Sequence, residues 1–319
     1  MTTKRVLVTG ASGFVGRPLV AALLRAGFTV RAVTRRPVAF PDTVDAQIIP
    51  DLRASVDWAP LLRDVDAVIH TAGLAHGPVT DDKFSEFDRV NWIATEELAQ
   101  AAKRADTGQL IYISSVRAQI GASASYIVRE QDEPRPTNYY GRSKLAAETA
   151  IRASGVPFTI FRPVVIYGPQ PKGNMRTLIR LAKSRLPLPI ASFTSRRSLL
   201  GIDNLISAII FALNNPAAIG EAYLLADSTP MTLGEILSVL REKLGRPLAT
   251  IAVPKTVIHI LLAAIGRTDL WLRFAGELVV DTGKFQALGW RPVSDTARGL
   301  AAMLETEGGE YAPTMQRIL

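Results

Sequence analysis

The stretch Gly10-Ala-Ser-Gly-Phe-Val-Gly16 decides the fold of this 319-residue chain. An apolar run at 5–9 precedes it, and apolar residues with helical spacing follow it. Glycines between a strand and a helix permit a tight turn, close approach of the backbone to a pyrophosphate, and close helix–strand packing. Free N–H groups and the helix dipole then face the anion. The stretch therefore predicts a dinucleotide-binding turn, although its spacing is GxxGxxG rather than GxGxxG.

From residue 4 to about 163, short β-branched apolar runs alternate with helical patterns, which is typical of βαβ units around a parallel sheet. The predicted strands are Arg5–Thr9, Thr29–Thr34, Ala46–Ile49, Ala67–His70, Leu110–Ser114 and Phe158–Arg162. The predicted helices begin near Gly13, Trp58, Phe84 and Tyr139. The fold class is thus α/β, with a Rossmann-type doubly wound parallel sheet.

After Gly168 the alternation stops, and proline-rich turns separate mixed segments. We therefore predict a dinucleotide-binding Rossmann domain over 1–168 and a smaller substrate-binding portion over 169–319, some of whose segments return to the sheet. The apolar segment Val257–Ile265 is far shorter than the roughly 20 residues of a spanning helix. It is interpreted as a buried or groove-lining helix, or as a helix at a membrane interface.

Composition excludes several classes of protein. The chain has no cysteine, and its three histidines, His70, His76 and His259, are too scattered for a metal site. The net charge of +8 suggests acidic partners, but aromatic residues are not interleaved with the basic runs, so no nucleic-acid partner is expected. The N-terminus enters a predicted strand within a few residues, and we therefore expect no leader and a cytoplasmic protein.

A second signal, Tyr140-Gly-Arg-Ser-Lys144, lies near mid-chain. Tyr140 and Lys144 stand at i and i+4, so both side chains lie on one helix face. A phenol with a pKa of about 10 is a poor base at neutral pH, and a nearby cation favours the phenolate. The preceding predicted strand ends in Ser114-Ser115, which offers a hydroxyl partner. Ser115 is preferred, and Ser114 remains the alternative.

The end of the second predicted strand indicates the nucleotide. An acidic residue there binds the ribose of NAD, whereas arginine accommodates the 2′-phosphate of NADP. Here Arg35 and Arg36 follow the strand, without an acid. This favours NADP over NAD, the alternative being that both arginines belong to a solvated loop. Asp51 and Leu52 follow the third strand and are placed to meet the adenine.

Together these residues resemble the extended short-chain dehydrogenase/reductase family, often called the NAD-dependent epimerase/dehydratase family. The motifs are TGASGFVG, Asp51-Leu52, Ile69-His-Thr-Ala-Gly73, Val90-Asn91, Ile113-Ser-Ser-Val116, Tyr140-xxx-Lys144 and Phe161-Arg-Pro163. The match is strong over roughly 4–170 and thinner through Arg197-Ser-Leu to Leu288-Gly-Trp290.

The resemblance implies roles for individual residues. Tyr140 is the acid/base, Lys144 holds the nicotinamide ribose and lowers the pKa of Tyr140, Ser115 orients the substrate oxygen, and Asn91 props the site through a helix kink. The expected cofactor-binding residues are Gly10, Ser12, Gly13, Phe14, Val15, Gly16, Arg35, Arg36, Asp51, Leu52, Thr71, Ala72, Gly73, Tyr140, Lys144 and Pro163.

The implied activity is reduction or epimerisation at C4 of a nucleotide-activated sugar, in the synthesis of surface-polysaccharide precursors. Many such enzymes carry an asparagine that contacts the sugar diphosphate where this chain has Val165. The expected substrate-binding residues are therefore Ser115, Arg117, Arg176, Arg180 and Arg197. Two alternatives remain: a reductase of a hydrophobic ketone of the hydroxysteroid or flavonol-reductase kind, and a non-catalytic NADP-binding regulatory protein.

The resemblance also implies a homodimer, formed through the helices around Asn91–Lys103 and Tyr140–Arg152. The outer faces of these helices are expected to carry small residues that allow close packing of the helices. They are Ala94, Ala101, Ala102, Ala146, Ala147 and Ala150.

Overall fold

The computed structural model describes residues 3–75, 86–171, 173–247, 249–264, 266, 271 and 275–305. Its strands are β1 (Arg5–Thr9), β2 (Thr29–Thr34), β3 (Asp45–Ile48), β4 (Ala67–His70), β5 (Gln109–Ile113), β6 (Phe158–Pro163), β7 (Val165–Tyr167), β8 (Arg196–Arg197), β9 (Leu199–Gly201), β10 (Glu221–Leu225) and β11 (Met231–Thr232).

The described α-helices are α1 (Gly16–Arg25), α2 (Ala94–Arg104), α3 (Val116–Gln119), α4 (Tyr139–Ser154), α5 (Gly173–Lys183), α6 (Ile202–Asn214), α7 (Leu233–Lys243), α8 (Lys255–Ala264), α9 (Gly283–Gln286) and α10 (Thr296–Glu305). A π-helix spans Asp88–Ile93, and a 3₁₀ turn spans Pro216–Ala218.

Seven of the described strands form one parallel sheet in the order β3-β2-β1-β4-β5-β6-β10. The strand order reverses between β1 and β4, and ligands of doubly wound sheets bind at such a reversal, beyond the carboxyl ends of the strands. The predicted fold class is confirmed. It brings the turn after β1 beside the loop after β4.

Alternating side chains on the buried strands supply the cores on the two faces of the sheet. Val6 and Val8 of β1 pack into one core with α1 and α6, whereas Leu7 packs into the other with α2 and α4. Because both faces are covered by helices, the strands are continuous apolar runs, as β5 is with all its residues buried.

The second half of the chain has a third core, built from α5, α7, α10 and β9. The second half of the chain also contributes a strand to the large sheet, since β10 pairs with β6 from Glu221↔Thr159 to Leu225↔Pro163. The division at 168 remains a prediction, and β10 is a segment from beyond it that lies in the sheet.

Two features of the second βαβ region differ from the predictions. The helix expected to begin near Trp58 is a series of turns over 59–64, in a stretch that contains Pro60 and in which Asp64 has a φ of 58°. Pro60 has no N–H to donate, and the left-handed Asp64 cannot continue a helix. The helix start expected near Phe84 lies outside the described residues.

Helices α2 and α4 pack against each other within one chain. Five of the six alanines expected on the outer faces of these helices are buried, so that expectation is wrong for Ala94, Ala101, Ala102, Ala147 and Ala150. The homodimer itself remains a prediction. No helix in the described part of the chain is long and apolar enough to cross a membrane.

Candidate active site

The glycine turn after β1 leaves no room for side chains. Gly10 has a φ of +66°, and a Cβ there would lie 2.8 Å from the backbone nitrogen of Ala72. A Cβ on Gly16 would lie 2.2 Å from the carbonyl oxygen of Gly10. Gly10 lets the turn approach the loop after β4, and Gly16 lets the first turn of α1 pack against the turn itself. The turn therefore fits a pyrophosphate at the N-terminus of α1, which carries no acidic residue in its first turn.

The loops after β2 and β3 meet through an ion pair. Nη1 of Arg35 donates to Oδ2 of Asp51 at 2.7 Å, and Arg53 approaches the same oxygen at 3.2 Å. Partial burial acts to raise the pKa of Asp51, but the hydrogen bonds and charges of Arg53 and Arg35 hold it below its usual value. Asp51 therefore orients Arg35 at this edge, while Arg35 and Arg36 both stay exposed.

Ser114 and Ser115 have different partners, and this decides between them as neighbours of Tyr140. Oγ of Ser114 donates to Oε1 of Glu148 at 2.6 Å, beneath the site. Ser115 caps α3, and its Oγ accepts from the backbone nitrogen of Arg117 at 3.2 Å. The Ser115 side chain also acts to lower the pKa of the Tyr140 phenol, which places it beside that hydroxyl. Ser115 is thus the hydroxyl beside the phenol.

Tyr140 lies in the first turn of α4, and its ring packs edge-on against Phe87 with ring centroids 6.3 Å apart. Burial raises the pKa of its phenol, whereas the Ser115 hydrogen bond and the charge of Arg117 lower it. Arg117 sits close because α3 touches α4 at Gly141, where a Cβ would lie 2.2 Å from the Arg117 carbonyl oxygen.

Lys144 is almost completely buried, with 4% of its surface exposed. Its Nζ donates to the carbonyl oxygen of Ile113 at 2.9 Å and lies 4.6 Å from the centre of the Tyr112 ring. Burial lowers the pKa of Lys144 to about 8, and the charge of Glu148 opposes this shift. A Cβ on Gly73 would lie 3.3 Å from the same Nζ, so the loop after β4 passes close to the ammonium group at this glycine.

Asn91 lies within the π-helix, which provides the kink that the resemblance implies. Its Oδ1 accepts from the backbone nitrogen of Leu74 at 2.8 Å, and its Nδ2 donates to Oγ of Ser143 at 3.1 Å. Asn91 therefore ties the loop after β4 to α4, the helix that carries Tyr140 and Lys144.

His70 ends β4 in a buried network. Its Nδ1 is 2.6 Å from Oγ1 of Thr9, and its Nε2 is 3.0 Å from Oγ1 of Thr95. Burial and the nearby Lys144 charge lower the pKa of His70 to about 3, so the ring is neutral. The histidine therefore connects β4 to β1 and to α2 in the interior of the protein.

A buried ion pair below α4 was missed by the sequence analysis. Glu148 is fully buried, and Nε of Arg162 in β6 donates to its Oε1 at 2.9 Å. Arg162 also hydrogen-bonds to Gln119 of α3. The available signal was the spacing, since Glu148 stands one helical turn after Lys144 and two turns after Tyr140.

The five expected substrate residues fall into two groups. Ser115, Arg117 and Arg197 lie together, and Arg197 is fixed by hydrogen bonds to the carbonyl oxygens of Gly276 and Ala122. Burial and the charge of Arg117 lower the pKa of Arg197 to about 10. Arg176 and Arg180 are exposed on α5, opposite the face that enters the third core.

The remaining expected cofactor residues are distributed around the glycine turn. Ser12 is exposed, while Phe14, at 36% exposed, approaches Gly168 across the cleft. Leu52 is buried, and Oγ1 of Thr71 donates to the carbonyl oxygen of Thr9 at 2.7 Å. Gly13 and Val15 lie in the turn itself, and Pro163 lies at the end of β6.

Comparison with known proteins gives consistent results. Residues 6–226 match the model of the NAD dependent epimerase/dehydratase family. A UDP-glucose 4-epimerase of Vibrio cholerae is 32% identical over 308 residues, covering 93% of each chain. A 3 beta-hydroxysteroid dehydrogenase/Delta 5→4-isomerase of Mycobacterium tuberculosis is 28% identical, covering 76% of this chain and 70% of the relative.

Among solved structures, MoeE5 in complex with UDP-glucose and NAD superimposes with a TM-score of 0.74 at 25% identity. The alignment covers 95% of this chain and 98% of MoeE5. The family match extends over more than half of the sequence, and the Vibrio relative aligns with nearly all of it. The chain belongs to the NAD dependent epimerase/dehydratase family, whose members are nicotinamide-dependent short-chain dehydrogenases/reductases.

Proposed function

We propose that this protein is an NADP-dependent oxidoreductase acting at C4 of a nucleotide-activated sugar, as a 4-ketoreductase or a 4-epimerase. The observation that carries the proposal is the position of Tyr140 and the buried Lys144 one helical turn apart on α4, with Nζ of Lys144 2.9 Å from the carbonyl oxygen of Ile113. As the family implies, we place the enzyme in the cytoplasm and in the synthesis of surface-polysaccharide precursors.

The residues present fit a dinucleotide. The glycine turn forms a cradle that any Cβ at Gly10 or Gly16 would fill, and Asp51 and Arg35 close the far end. When bound, the cofactor supplies the hydride or accepts it. Lys144, mostly charged at neutral pH, holds the ribose next to the nicotinamide.

The chain's own residues handle the proton. Oη of Tyr140 gives its proton to the C4 oxygen during reduction and takes one from the hydroxyl in the reverse direction. Oγ of Ser115 orients that oxygen. Arg117 and Lys144 add positive charge around the site, and a positive environment stabilises the phenolate that remains after proton transfer.

The cofactor preference rests on Arg35 and Arg36, although MoeE5 was solved with NAD. Each guanidinium can form a charge-assisted pair with a 2′-phosphate, worth about 1.5–3 kcal/mol. Changing both to alanine is expected to weaken NADPH binding by about ten-fold or more, with little effect on NADH. Fluorescence titration measures both affinities.

Arg53→Ala is the matched control for this prediction, because Arg53 contacts the same Asp51 from the β3 side. It should leave the NADPH affinity within a few-fold of the unmodified protein. Equal affinities of the unmodified protein for NADH and NADPH would overturn the assignment to NADP.

The substrate assignment rests on Arg117, which stands near Tyr140, and on its neighbour Arg197. Neither arginine has a carboxylate ion-pair partner among the described residues. An arginine fork can bind a phosphate through two hydrogen bonds. With Val165 in place of the family's asparagine, Arg197 supplies the contact to the sugar diphosphate. The Vibrio relative and MoeE5 are named for UDP-glucose, which supports this class of substrate.

Steady-state oxidation of NADPH with a panel of 4-keto nucleotide sugars tests the function. Arg197→Ala is expected to raise KM for the sugar by about ten-fold or more, and UDP or dTDP should inhibit competitively. Arg196→Ala is the control, since the neighbouring Arg196 pairs with Glu235 on the other side of β8. If neither nucleotide binds at millimolar concentration, the nucleotide-sugar assignment is wrong.

A second candidate function is reduction of a hydrophobic ketone. The apolar Val165, 38% exposed beside β9, and the hydroxysteroid dehydrogenase relative favour it. Turnover of a neutral apolar ketone, without inhibition by nucleotides, would select this candidate. A regulatory protein without activity is disfavoured, because it needs no proton-transfer pair.

A further inference from the structure

An apolar surface is formed by exposed side chains in the second half of the chain. Its members are the exposed residues Leu186, Ile251, Val257, Ile260 and Leu261, which we call the α8 surface. Leu186 is 70% exposed, Ile260 65% and Leu261 59%. A helix of a globular protein ordinarily turns such residues towards its core, so the sequence interpretation of a buried helix is wrong for this face.

The exposed apolar residues of α8 are spaced as one helical stripe. Val257, Ile260, Leu261 and Ala264 stand at i, i+3, i+4 and i+7, and all are exposed. The opposite side of the helix is anchored, since Ile258 packs against the third core and the ring of His259 contacts Trp271. The stripe is therefore held outward by the packing of the helix behind it.

The other members of the surface lie on two segments that are joined to each other by backbone hydrogen bonds. The nitrogen of Ile251 donates to the carbonyl oxygen of Leu188 at 2.9 Å, and the nitrogen of Leu188 donates to Ala249 at 3.0 Å. The turn that carries Leu186 is fixed by Arg241, which donates to its carbonyl oxygen at 2.9 Å. Leu186 and Ile251 thus belong to two connected segments, and the segment of Ile251 continues along the chain into α8.

The charges of these segments have one sign. Residues 183–190 and 249–264 contain Lys183, Arg185 and Lys255, and they contain no aspartate or glutamate. Lys183 and Arg185 are exposed beside Leu186, and Lys255 begins α8. An apolar stripe with a basic border complements a membrane surface that carries anionic lipids, because the apolar side chains enter the acyl boundary while the cations meet the headgroups.

We propose that the α8 surface docks the protein reversibly on a membrane containing anionic phospholipids. A second copy of the chain fits this surface less well, because in a symmetric contact these segments offer three cations from each copy and no carboxylate to pair with them. The helix lies flat on the bilayer and does not span it. This inference does not depend on the proposed activity.

Sedimentation with vesicles of the full chain tests the proposal. We expect binding to vesicles of equal parts phosphatidylglycerol and phosphatidylcholine, and at least about ten-fold weaker binding to phosphatidylcholine alone or at high salt. The double variant Ile260→Glu/Leu261→Glu should lose binding by about ten-fold or more. The triple variant Lys183→Ala/Arg185→Ala/Lys255→Ala should lose only the preference for anionic lipid.

Ile48→Glu is the matched control, since Ile48 is 60% exposed on β3, at the far edge of the sheet. It should bind vesicles as the unmodified protein does. The proposal fails if the unmodified protein stays in the supernatant with anionic vesicles, or if the glutamate variants sediment equally well. It also fails if light scattering shows that these variants turn a dimer into monomers, which would assign the surface to a second copy.

Discussion

Tyr140→Phe is expected to lower kcat by about 10²–10⁴-fold while leaving the affinity for NADPH within a few-fold. The phenol oxygen moves a proton only during the reaction, whereas the ring still packs against Phe87. Stopped-flow measurement of NADPH oxidation gives the chemical step, and fluorescence titration gives the affinity. Lys144→Ala should reduce both quantities, because Lys144 is proposed to hold the cofactor and to add positive charge beside the phenol.

Tyr139→Phe is the matched control for this prediction. Tyr139 precedes Tyr140, is 41% exposed, and has the guanidinium of Arg142 5.5 Å from its ring centre. Phenylalanine keeps that ring, so kcat should change by less than about two-fold. Near-normal turnover of Tyr140→Phe with the true substrate would show that another group transfers the proton.

The parts of the fold that could be predicted are those with regular spacing in the sequence. The strands Arg5–Thr9, Thr29–Thr34 and Ala67–His70 have the predicted bounds, and the other three differ by a single residue at one or both ends. Buried parallel strands are short apolar runs, and the glycine turn fixes the direction of the first βα unit. The turns over 59–64 were wrongly predicted as a helix, because the apolar residues around Trp58 have helical spacing.

The candidate site could be predicted only as far as local spacing carries. The pair Tyr140 and Lys144 follows from one helix face, but the choice of Ser115 over Ser114 needs the position of Glu148, which is 34 residues away from Ser114. The exposure of Ile260 and Leu261 could not be predicted from the sequence either, since apolar residues at helical spacing normally indicate a buried face. The choice between the two serines and the exposure of α8 both depend on contacts between segments that are distant in the sequence.

The second large effect is expected at the buried Glu148. Glu148→Gln leaves the guanidinium of Arg162, itself 4% exposed, without a counter-charge below the active-site helix. Removing one partner of a buried ion pair costs about 3–5 kcal/mol of unfolding free energy, which lowers the melting midpoint by roughly 5–10 °C. Differential scanning calorimetry measures the midpoint. Glu133→Gln is the control, because the pair of Glu133 with Arg135 is exposed and should leave the midpoint unchanged.

The same variant should also change the pH dependence of activity. The carboxylate of Glu148 raises the pKa of Lys144 against the effect of burial, so its removal moves that pKa below its present value of about 8. Lys144 then loses its charge at lower pH, and the alkaline fall of kcat/KM should shift towards neutral pH in Glu148→Gln. A stability loss without this shift would mean that Glu148 supports only the packing of α4. An unchanged melting midpoint would mean that Arg162 finds another counter-charge.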